Sequence, residues 1–412
     1  MGLKPELLRA IEALGFQTPM PIQSQMIPQL IEGNRDCLAL ASTGSGKTAA
    51  FGLPMLNMVT PKGRYPQFLI LSPTRELCMQ ISSDLRNYSK FMKDVRVLSV
   101  YGGANIKFQM MELYRGVSIL VATPGRLLDL MDRGAANLSS VRGVVLDEAD
   151  EMLQMGFQED LEQIMDSVPK TAVTWMFSAT MEKRVAQCAH RILKNPIEIN
   201  VVDNQPPPNI KHVCVTFKAP TERGAALRQL VDETPDFFGL VFRRTRSNVR
   251  TTAKHFADEG YSVGALHGDL TQQQRDRVMK SFRNHEIQIL FATDVASRGL
   301  DVSDVTHIVH FDISEDAETY THRSGRTARA GKSGISMVFA APEDHGKLAQ
   351  FERTLKMQFE FNGISREECR TMGGGSRGRE KSGRGGNRNW SGPSRIKRKY
   401  GKAGAPRAPA AR

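Results

Sequence analysis

Leu40-Ala41-Ser42-Thr43-Gly44-Ser45-Gly46-Lys47-Thr48 is the stretch that decides the fold of the first half of this chain. It follows an apolar run, residues 37–41, that predicts a strand, and it precedes a segment that predicts a helix. A glycine-rich turn in this position presents backbone N–H groups and the positive end of a helix dipole to phosphate. The pattern therefore predicts a phosphate-binding loop made of Ser42, Thr43, Gly44, Ser45, Gly46, Lys47 and Thr48.

The alternation of short apolar runs and amphipathic segments continues on both sides of this loop, which favours βαβ units and a parallel sheet. In the first half it predicts strands at residues 37–41, 68–71, 119–121, 144–146 and 173–177, with helices at 77–91 and 157–165. In the second half it predicts strands at 240–242, 263–266, 287–291, 308–311 and 335–339, with helices at 248–260 and 272–283. We therefore expect an α/β chain with two tandem parallel-sheet domains.

A proline-rich run separates the two domains. Asn204-Gln205-Pro206-Pro207-Pro208-Asn209 supports neither a helix nor a strand ladder and predicts a stiff linker. The expected domains are residues 1–203 and 210–370, joined by the linker 204–209. Residues 371–412 form a fourth segment, rich in Gly and Arg and poor in apolar residues, which we expect to be disordered because it buries too little surface to offset its ordering entropy.

The charge of the chain is concentrated in that last segment. Residues 371–412 contain twelve Lys or Arg and one acidic residue, Glu380, so they carry +11 of the net charge of +12 and the first 370 residues carry about +1. No run approaches the ~18 apolar residues that a membrane span needs. The five cysteines are scattered, which favours free thiols in a reducing compartment over a metal site or disulfides. These features predict a cytoplasmic protein without a membrane partner.

A second acidic motif complements the phosphate loop. Asp147-Glu148-Ala149-Asp150 follows the predicted strand at 144–146, at the carboxyl edge where α/β sheets bind ligands. We expect Lys47 to contact the β and γ phosphates of a nucleoside triphosphate, and Thr48 and Asp147 to hold Mg²⁺. Glu148 is then the carboxylate that orients and deprotonates the attacking water. Together the two motifs predict a nucleoside triphosphatase.

With these motifs in this order, residues 15 to 331 resemble the DEAD-box RNA helicases, here as a minimal core of bacterial type with a basic Gly/Arg-rich tail. The resemblance implies two RecA-like domains. Gly15 to Gln23 is similar to the adenine-reading motif of the family, in which Gln23 faces the base and Phe16 stacks on it. It also implies that Asp301 approaches the ribose and that Arg326 and Arg329 act as arginine fingers on the γ-phosphate.

The same resemblance implies a set of RNA contacts that recognise the sugar-phosphate backbone, because hydroxyls, glycine N–H groups and arginines predominate. These residues are Pro73, Thr74, Arg75, Gly103, Thr123, Gly125, Arg126, Gly268, Gln272, Thr293 and Gly299. Arg275 and residues 242–245 belong to further RNA-side motifs, although Phe242 also fits a place in the core. Coupling between the nucleotide and RNA sides is assigned to Asp150, Ser178, Thr180 and His322. This chain has Ser324 where the family more often has Ile or Val. It has Ala328 where the family more often has Gly.

The function implied is an RNA-dependent ATPase that clamps single-stranded RNA between its lobes and locally unwinds short duplexes or remodels RNA–protein complexes. It would use ATP and Mg²⁺ and act as a monomer, with ribonucleoproteins as possible partners. Two alternatives remain open at this point: an ATP-gated RNA clamp or scaffold, and a DNA translocase of the same superfamily. Gln23 and the acidic tetrad argue against the second.

Overall fold

The computed structural model describes residues 2–32, 35–41, 44–61, 63–201, 209–217, 219–297, 302, 304–328 and 332–363. These residues form two α/β units, here called the first lobe (residues 2–201) and the second lobe (residues 209–363). The linker predicted at 204–209, except Asn209, and the basic tail lie outside the described residues.

The first lobe contains a seven-stranded sheet and nine α-helices among its described residues. The strands are β1 (Cys37–Leu40), β2 (Phe68–Leu71), β3 (Val97–Val100), β4 (Ile119–Ala122), β5 (Gly143–Leu146), β6 (Val173–Ser178) and β7 (Ile197–Asn200). The helices are α1 (Pro5–Ala13), α2 (Pro21–Ile31), α3 (Lys47–Met58), α4 (Arg75–Tyr88), α5 (Ile106–Tyr114), α6 (Pro124–Asp132), α7 (Ala149–Gln154), α8 (Gln158–Asp166) and α9 (Lys183–Ile192).

The second lobe repeats this plan. Its strands are β8 (Ile210–Thr216), β9 (Gly239–Phe242), β10 (Val263–Leu266), β11 (Ile289–Ala292), β12 (His307–His310), β13 (Gly334–Ala340) and β14 (Glu360–Gly363). Its helices are α10 (Arg223–Glu233), α11 (Arg246–Asp258), α12 (Gln272–Arg283), α13 (Asp294–Ser297), α14 (Ala317–Ser324) and α15 (His345–Leu355), with short 3₁₀ turns at Pro220–Glu222 and Pro342–Asp344.

Both sheets have the same strand order, β3-β4-β2-β5-β6-β1-β7 in the first lobe and β10-β11-β9-β12-β13-β8-β14 in the second. The strand pairs in both sheets are parallel, as in β2 against β5 and β9 against β12. Apolar side chains cover both faces of the first sheet, with Phe68 and Ile70 on one face and Leu69 and Leu71 on the other. The expected architecture of two tandem RecA-like parallel-sheet domains is confirmed.

The predicted strands are all present, with ends displaced by two residues or fewer. Four strands were not predicted: β3, β7, β8 and β14. Three of these lie at the edges of their sheets, where one side of the strand remains partly exposed. Their sequences therefore mix polar and apolar residues, as in Ile197-Glu198-Ile199-Asn200, and lack the continuous apolar run of a strand buried on both faces.

Parallel strands place their carboxyl ends along one edge of each sheet, so the loops that follow them converge there. The phosphate loop follows β1, the acidic tetrad follows β5, and Ser178 ends β6, with β6 lying between β5 and β1. Among the described residues, no helix is long and apolar enough to cross a bilayer.

Candidate nucleotide and RNA sites between the lobes

The phosphate loop connects β1 to α3, and its glycines take up conformations that other residues avoid. Gly44 and Gly46 have φ of +83° and +87°. A Cβ at Gly46 would lie 2.5 Å from Nε2 of Gln23, whereas a Cβ at Gly44 would meet no described atom within 4 Å. Gly46 therefore packs against α2, while Gly44 leaves space in front of the N-terminus of α3. Ser42 and Thr43 lie outside the described residues.

Lys47, the first residue of α3, places a buried ammonium group beside this space. The residue is 7% exposed, and its Nζ has no hydrogen-bond partner in the described part of the chain. The carboxylate of Asp147 is nearby, with its Oδ1 3.9 Å from Nζ of Lys47. A buried, unsatisfied ammonium is costly without an anion, so the loop fits a phosphate ligand.

The two carboxylates predicted to act on metal and water follow β5 and are both buried. Asp147 is 2% exposed, and burial raises its pKa to about 6, opposed by the nearby Lys47 ammonium. Glu148 has a left-handed backbone with φ of +52°, which a side chain other than glycine adopts at a cost of roughly 1–3 kcal/mol. Glu148 is 8% exposed, so its carboxyl is buried, and it directly follows Asp147 in sequence.

The residues around Lys47 fit a divalent cation held mainly by substrate phosphates. Asp147 supplies a hard oxygen ligand at the buried end of β5, and half-buried Thr48 follows Lys47 in the first turn of α3. In the described residues no group of three His, Cys, Asp or Glu side chains could hold a metal by itself. Mg²⁺ is commonly bound by one or two protein oxygens together with phosphates and water.

Gln23 links the adenine-side motif to the phosphate loop. Its Oε1 accepts from the backbone N–H of Met20 at 3.0 Å, and its Nε2 donates to the carbonyl of Gly46 at 3.2 Å. An amide retains further bonding capacity after two such contacts, so the expected adenine contact stays a prediction. Phe16 packs edge-to-face against Tyr88 and remains 42% exposed, which leaves a ring surface accessible for stacking.

Asp150 joins the acidic tetrad to the loop after β6. Its Oδ2 accepts from the backbone N–H groups of Ala179 and Thr180, both at 3.0 Å, and from the Thr180 hydroxyl at 3.3 Å. The Ser178 hydroxyl donates to the carbonyl of Thr180 at 2.7 Å. Three of the predicted coupling residues thus form one hydrogen-bonded unit in the first lobe.

The fourth predicted coupling residue, His322, reaches this unit from the second lobe. Nδ1 of His322 lies 3.1 Å from Oε1 of Glu151, the residue after Asp150. Burial acts to lower the pKa of His322, but the Glu151 carboxylate and Glu318 outweigh it and raise that pKa. Nearby, Nε2 of Gln154 donates to Oε1 of Glu318 at 2.6 Å. These contacts join the two lobes beside the acidic tetrad.

The helix α14 and the turn after it present arginines at the same interface. Arg326 lines an interlobe cavity of about 400 Å³ together with Glu151 and His322. Arg323 is committed to structure, because it forms a bidentate ion pair with Asp294 at 2.5 and 2.7 Å and lies over the ring of Phe242. Arg329 and Asp301 lie outside the described residues.

The positions where this chain departs from the family pattern have clear environments. Ser324 is buried, and its hydroxyl bonds to Ser336 at 2.7 Å and to the carbonyl of Tyr320 at 2.8 Å. Ala328 has φ of +55°, in the left-handed region that favours glycine. Phe242 is 1% exposed and belongs to the core of the second lobe, which decides the question left open by the sequence.

The predicted RNA residues of the first lobe lie around the carboxyl ends of β2, β3 and β4. Arg75, at the start of α4, lies over the ring of Tyr101 and against Gly103, whose φ is +78°. Thr74 caps α4 through Leu77 N–H at 3.3 Å, with Pro73 just before it. Arg126 donates to the Gln109 side chain at 2.7 Å. Thr123 and Gly125 flank the N-terminus of α6.

The predicted RNA residues of the second lobe face this group. Cβ of Gln272 lies 3.9 Å from the position that a Cβ on Gly103 would occupy. Nε of Arg275 lies 2.6 Å from Oε1 of Glu76. Gly268 follows β10 and Thr293 follows β11, at the same sheet edge. Gly299 lies outside the described residues.

Glu76, Glu151, Glu318 and Asp294 take part in these contacts although no role was predicted for them. Glu76 stands within the motif Pro73–Leu77, and Glu151 directly follows the acidic tetrad. Their positions in or beside a motif could have identified them as site residues. The same signal was available for Asp294, which directly follows Thr293. No motif pointed to Glu318, whose hydrogen-bond partner Gln154 lies far away along the chain.

Comparison with known proteins places these features in context. Residues 20–188 match the family model "DEAD/DEAH box helicase", and residues 222–331 match "Helicase conserved C-terminal domain". The chain is 42% identical to the DEAD-box ATP-dependent RNA helicase CshA of Bacillus cereus over 361 residues, which are 87% of this chain and 68% of that protein. It is 40% identical to the ATP-dependent RNA helicase DeaD of Haemophilus influenzae over 376 residues, covering 90% and 61% of the two chains.

Solved structures show the same two-lobed architecture. Dbp5 of S. cerevisiae bound to RNA and ADP BeF3 superposes with a TM-score of 0.81 at 30% identity, covering 90% of this chain and 96% of that one. Mss116p bound to ssRNA and AMP-PNP superposes with a TM-score of 0.79 at 27% identity, covering 90% and 79%.

Proposed function

This chain belongs to the family of DEAD-box ATP-dependent RNA helicases, and from that premise we propose that it hydrolyses ATP in the cleft between its lobes and couples closure of the cleft to RNA remodelling. The observation that carries the proposal is the buried Nζ of Lys47, which has no hydrogen-bond partner among the described residues and lies 3.9 Å from Oδ1 of Asp147. Glu148 follows Asp147 directly, and Arg326 of the other lobe lines the cavity beside Glu151. Neither lobe alone contains all of these groups.

The residues of the first lobe bind and orient the triphosphate. Gly44, Ser45 and Gly46 with the first turn of α3 supply backbone N–H donors, and the Lys47 ammonium neutralises phosphate charge. Mg²⁺, when bound by Thr48 and Asp147, would neutralise charge that builds on the phosphate oxygens. Glu148 accepts the proton of the attacking water, and its strained turn holds the carboxylate in a fixed direction.

The second lobe completes the site only when the lobes meet. Arg326 would stabilise charge on the transferring phosphoryl group, and the same role for Arg329 stays a prediction. On the opposite side of the interface, Arg75 and Gly103 in one lobe and Gln272 in the other would form a track for the RNA backbone. Because closure builds both sites, ATP and RNA should each strengthen binding of the other.

Local strand separation follows from that coupling. RNA held against a track built by two lobes must follow the shape of the track, and a strand bent away from duplex geometry loses its pairing. In the closed state the γ-phosphate would contact both Lys47 and Arg326. Hydrolysis and loss of phosphate remove these shared contacts and allow the lobes to part. We further propose that the enzyme acts as a monomer, since both halves of the site belong to one chain. The free cysteines of the described residues, Cys37, Cys78, Cys188 and Cys214, support our further proposal of a reducing compartment, the cytoplasm.

ATP turnover tests this function directly. Steady-state hydrolysis should be low without nucleic acid, strongly stimulated by single-stranded RNA, and weakly stimulated by DNA of the same sequence. Glu148→Gln should still bind ATP and RNA but hydrolyse ATP ~10²–10⁴-fold more slowly, because the proton acceptor is lost while the phosphate contacts remain. Lys47→Ala should instead weaken ATP binding.

A matched control is Glu159→Gln, which removes an exposed carboxylate on α8 of the same lobe and should leave turnover unchanged. Parental turnover by Glu148→Gln would refute the assignment of the proton acceptor. Equal stimulation by DNA and RNA would favour the translocase alternative. Tight, nucleotide-gated RNA binding with negligible duplex separation would favour the clamp.

A further inference from the structure

One face of helix α11 in the second lobe carries an exposed row of basic residues. Arg246, Arg250 and Lys254 stand four residues apart, and all three are exposed. Residues at this spacing lie on one side of a helix, about 6 Å apart along its axis. We call these three residues the α11 basic row.

The orientation of the row is determined by the core. Val249, Ala253 and Phe256, on the adjacent face of α11, are buried and pack with Val241 and Phe291 of the sheet. The helix therefore cannot rotate to hide the basic residues. The row faces solvent along the length of α11.

Negative charge that would neutralise the row is scarce. Asp258, the last residue, is the one acidic residue in α11. Arg246 forms an ion pair with Asp269, whereas neither Arg250 nor Lys254 has a carboxylate within ion-pair distance in the described part of the chain. Two adjacent cations are thus left for a ligand from solution.

The row begins at the predicted RNA track. Cδ of Arg246 lies 3.6 Å from the position of a Cβ on Gly268, one of the residues assigned to RNA. Burial lowers the pKa of His267, and the positive charges of Arg250 and Arg246 contribute in the same direction, against Asp269. The row therefore leads from the loop after β10 outward over the surface of the second lobe.

We propose that the α11 basic row binds the phosphates of the RNA strand where it leaves the cleft on the second lobe, extending the footprint beyond the motif residues. This inference rests on the proposed function, since it assumes that RNA occupies the cleft beside Gly268. The ligand is identified by its chemistry: a flexible chain of regularly spaced negative charges, matched by cations repeated every turn of a helix. Contacts to phosphates carry no information about the bases, so this binding should be independent of sequence.

RNA length is the variable that tests the proposal. The full chain and the variant Arg250→Gln/Lys254→Gln would be compared by fluorescence anisotropy with a non-hydrolysable ATP analogue, on oligouridines of about 6 and about 20 nucleotides. The short RNA fills the cleft alone, so its affinity should not change. The long RNA should lose roughly tenfold in affinity at low ionic strength, and the slope of log affinity against log salt should fall by about 1.4 for two phosphate contacts.

The control variant, Arg353→Gln/Lys356→Gln, removes the same charge from the same lobe. Its residues are exposed at the end of α15, which packs over β8 and β13. It should match the parent on both RNAs, and Lys254→Glu should reproduce the loss on the long RNA.

The proposal is overturned if Arg250→Gln/Lys254→Gln matches the parent on the long RNA, as it would if the row binds an acidic protein, or if it loses equally on both lengths. ATPase stimulation by the short RNA distinguishes failure of this proposal from failure of the helicase function. If the short RNA stimulates the parent normally, and the parent and the variant bind the long RNA equally well, only the proposal for the basic row is contradicted. Absence of RNA stimulation in the parent contradicts the helicase function itself.

Discussion

Glu76 in the first lobe and Arg275 in the second form an ion pair across the interlobe cleft, with Oε1 of Glu76 2.6 Å from Nε of Arg275. The two side chains are 9% and 17% exposed, and Nη2 of Arg275 also donates to the carbonyl of Ala296 at 2.6 Å. The pair lies among residues predicted to contact RNA, since Arg75 is adjacent in sequence and Gln272 stands one turn before Arg275 on α12. It can form only while the lobes are together.

Neutralising either partner should therefore weaken RNA binding specifically in the closed state. Glu76→Gln and Arg275→Gln should each lower RNA affinity with a non-hydrolysable ATP analogue, because the remaining charge is left buried without its partner. The double variant should lose less than the two single losses combined, with a coupling of about 1 kcal/mol or more in a double-mutant cycle. Additive losses would mean that the pair does not contribute to closure.

The acidic groups beside His322 predict a dependence of closure on pH. Burial raises the pKa of Glu318 to about 7, and the nearby Glu182 carboxyl adds to this effect. The pKa of His322 is raised as well. Both groups regain ordinary values when the lobes part, so closure takes up protons. Closure is disfavoured when Glu318 is ionised, because its carboxylate is then buried beside Glu182. This free-energy cost is absent below the ordinary pKa of Glu318 and complete above about 7. His322 has the same effect, because closure is most favourable when it is protonated.

RNA affinity with the ATP analogue should accordingly decrease between pH 6 and pH 8, while affinity without nucleotide should change little. Glu182→Gln should reduce this slope, because it removes the carboxyl that faces Glu318 across the cleft. Titration of the nucleotide is common to both proteins and cancels in the comparison. Identical pH profiles for the parent and the variant would exclude the carboxyl pair as the source.

Arg326 should be required for hydrolysis although it stands far from the phosphate loop along the chain. Arg326→Gln should slow turnover by ~10³ or more at saturating ATP and RNA, as expected for loss of an arginine finger. Affinity for ATP should change much less, because the first lobe holds the phosphates. Arg353→Gln is the matched control, and loss of ATP affinity without loss of turnover would contradict the assignment.

The left-handed backbone of Ala328 predicts a stabilising substitution. Ala328→Gly should raise the free energy of unfolding of the second lobe by about 1 kcal/mol, since glycine adopts a φ of +55° without a Cβ clash. Thermal unfolding followed by circular dichroism would measure this. Ala257→Gly, at an exposed position inside α11, should instead destabilise by about 1 kcal/mol. Destabilisation by both substitutions would contradict the strain argument.

The basic tail should act as a sequence-tolerant RNA tether. Residues 371–412 combine dense Lys and Arg with Trp390 and Tyr400, which provide phosphate contacts and stacking faces. Deleting Met372–Arg412 should weaken RNA affinity mostly at low salt, while turnover at saturating RNA stays nearly unchanged. RNA binding by the full and shortened chains across a salt series would measure this, and parallel slopes with equal affinity would rule out the tether.

The two parallel-sheet domains and the loops with the predicted site residues could be predicted from local patterns in the sequence. Those signals are local: a buried strand such as Phe68–Leu71 reads as an apolar run, Asp147 follows its strand directly, and Lys47 follows the glycine-rich loop after its strand. The edge strands β3, β7 and β14 were not predicted, because they are partly exposed and their sequences lack a continuous apolar run. Ser324 and Ala328 were visible as departures from a family pattern, but not the buried hydroxyl network or the backbone strain they create.

The contacts across the cleft could not be predicted from the sequence, because they depend on how the two lobes pack. Glu76 with Arg275 and Glu151 with His322 are distant in sequence, and the charges themselves do not specify partners. The outward direction of the α11 basic row was likewise settled by Val249 and Phe256 packing on the sheet, since a run of charges has no preferred side until its helix has a buried face. Local propensity and backbone geometry act over a few residues, whereas interlobe contacts depend on how two complete cores come together.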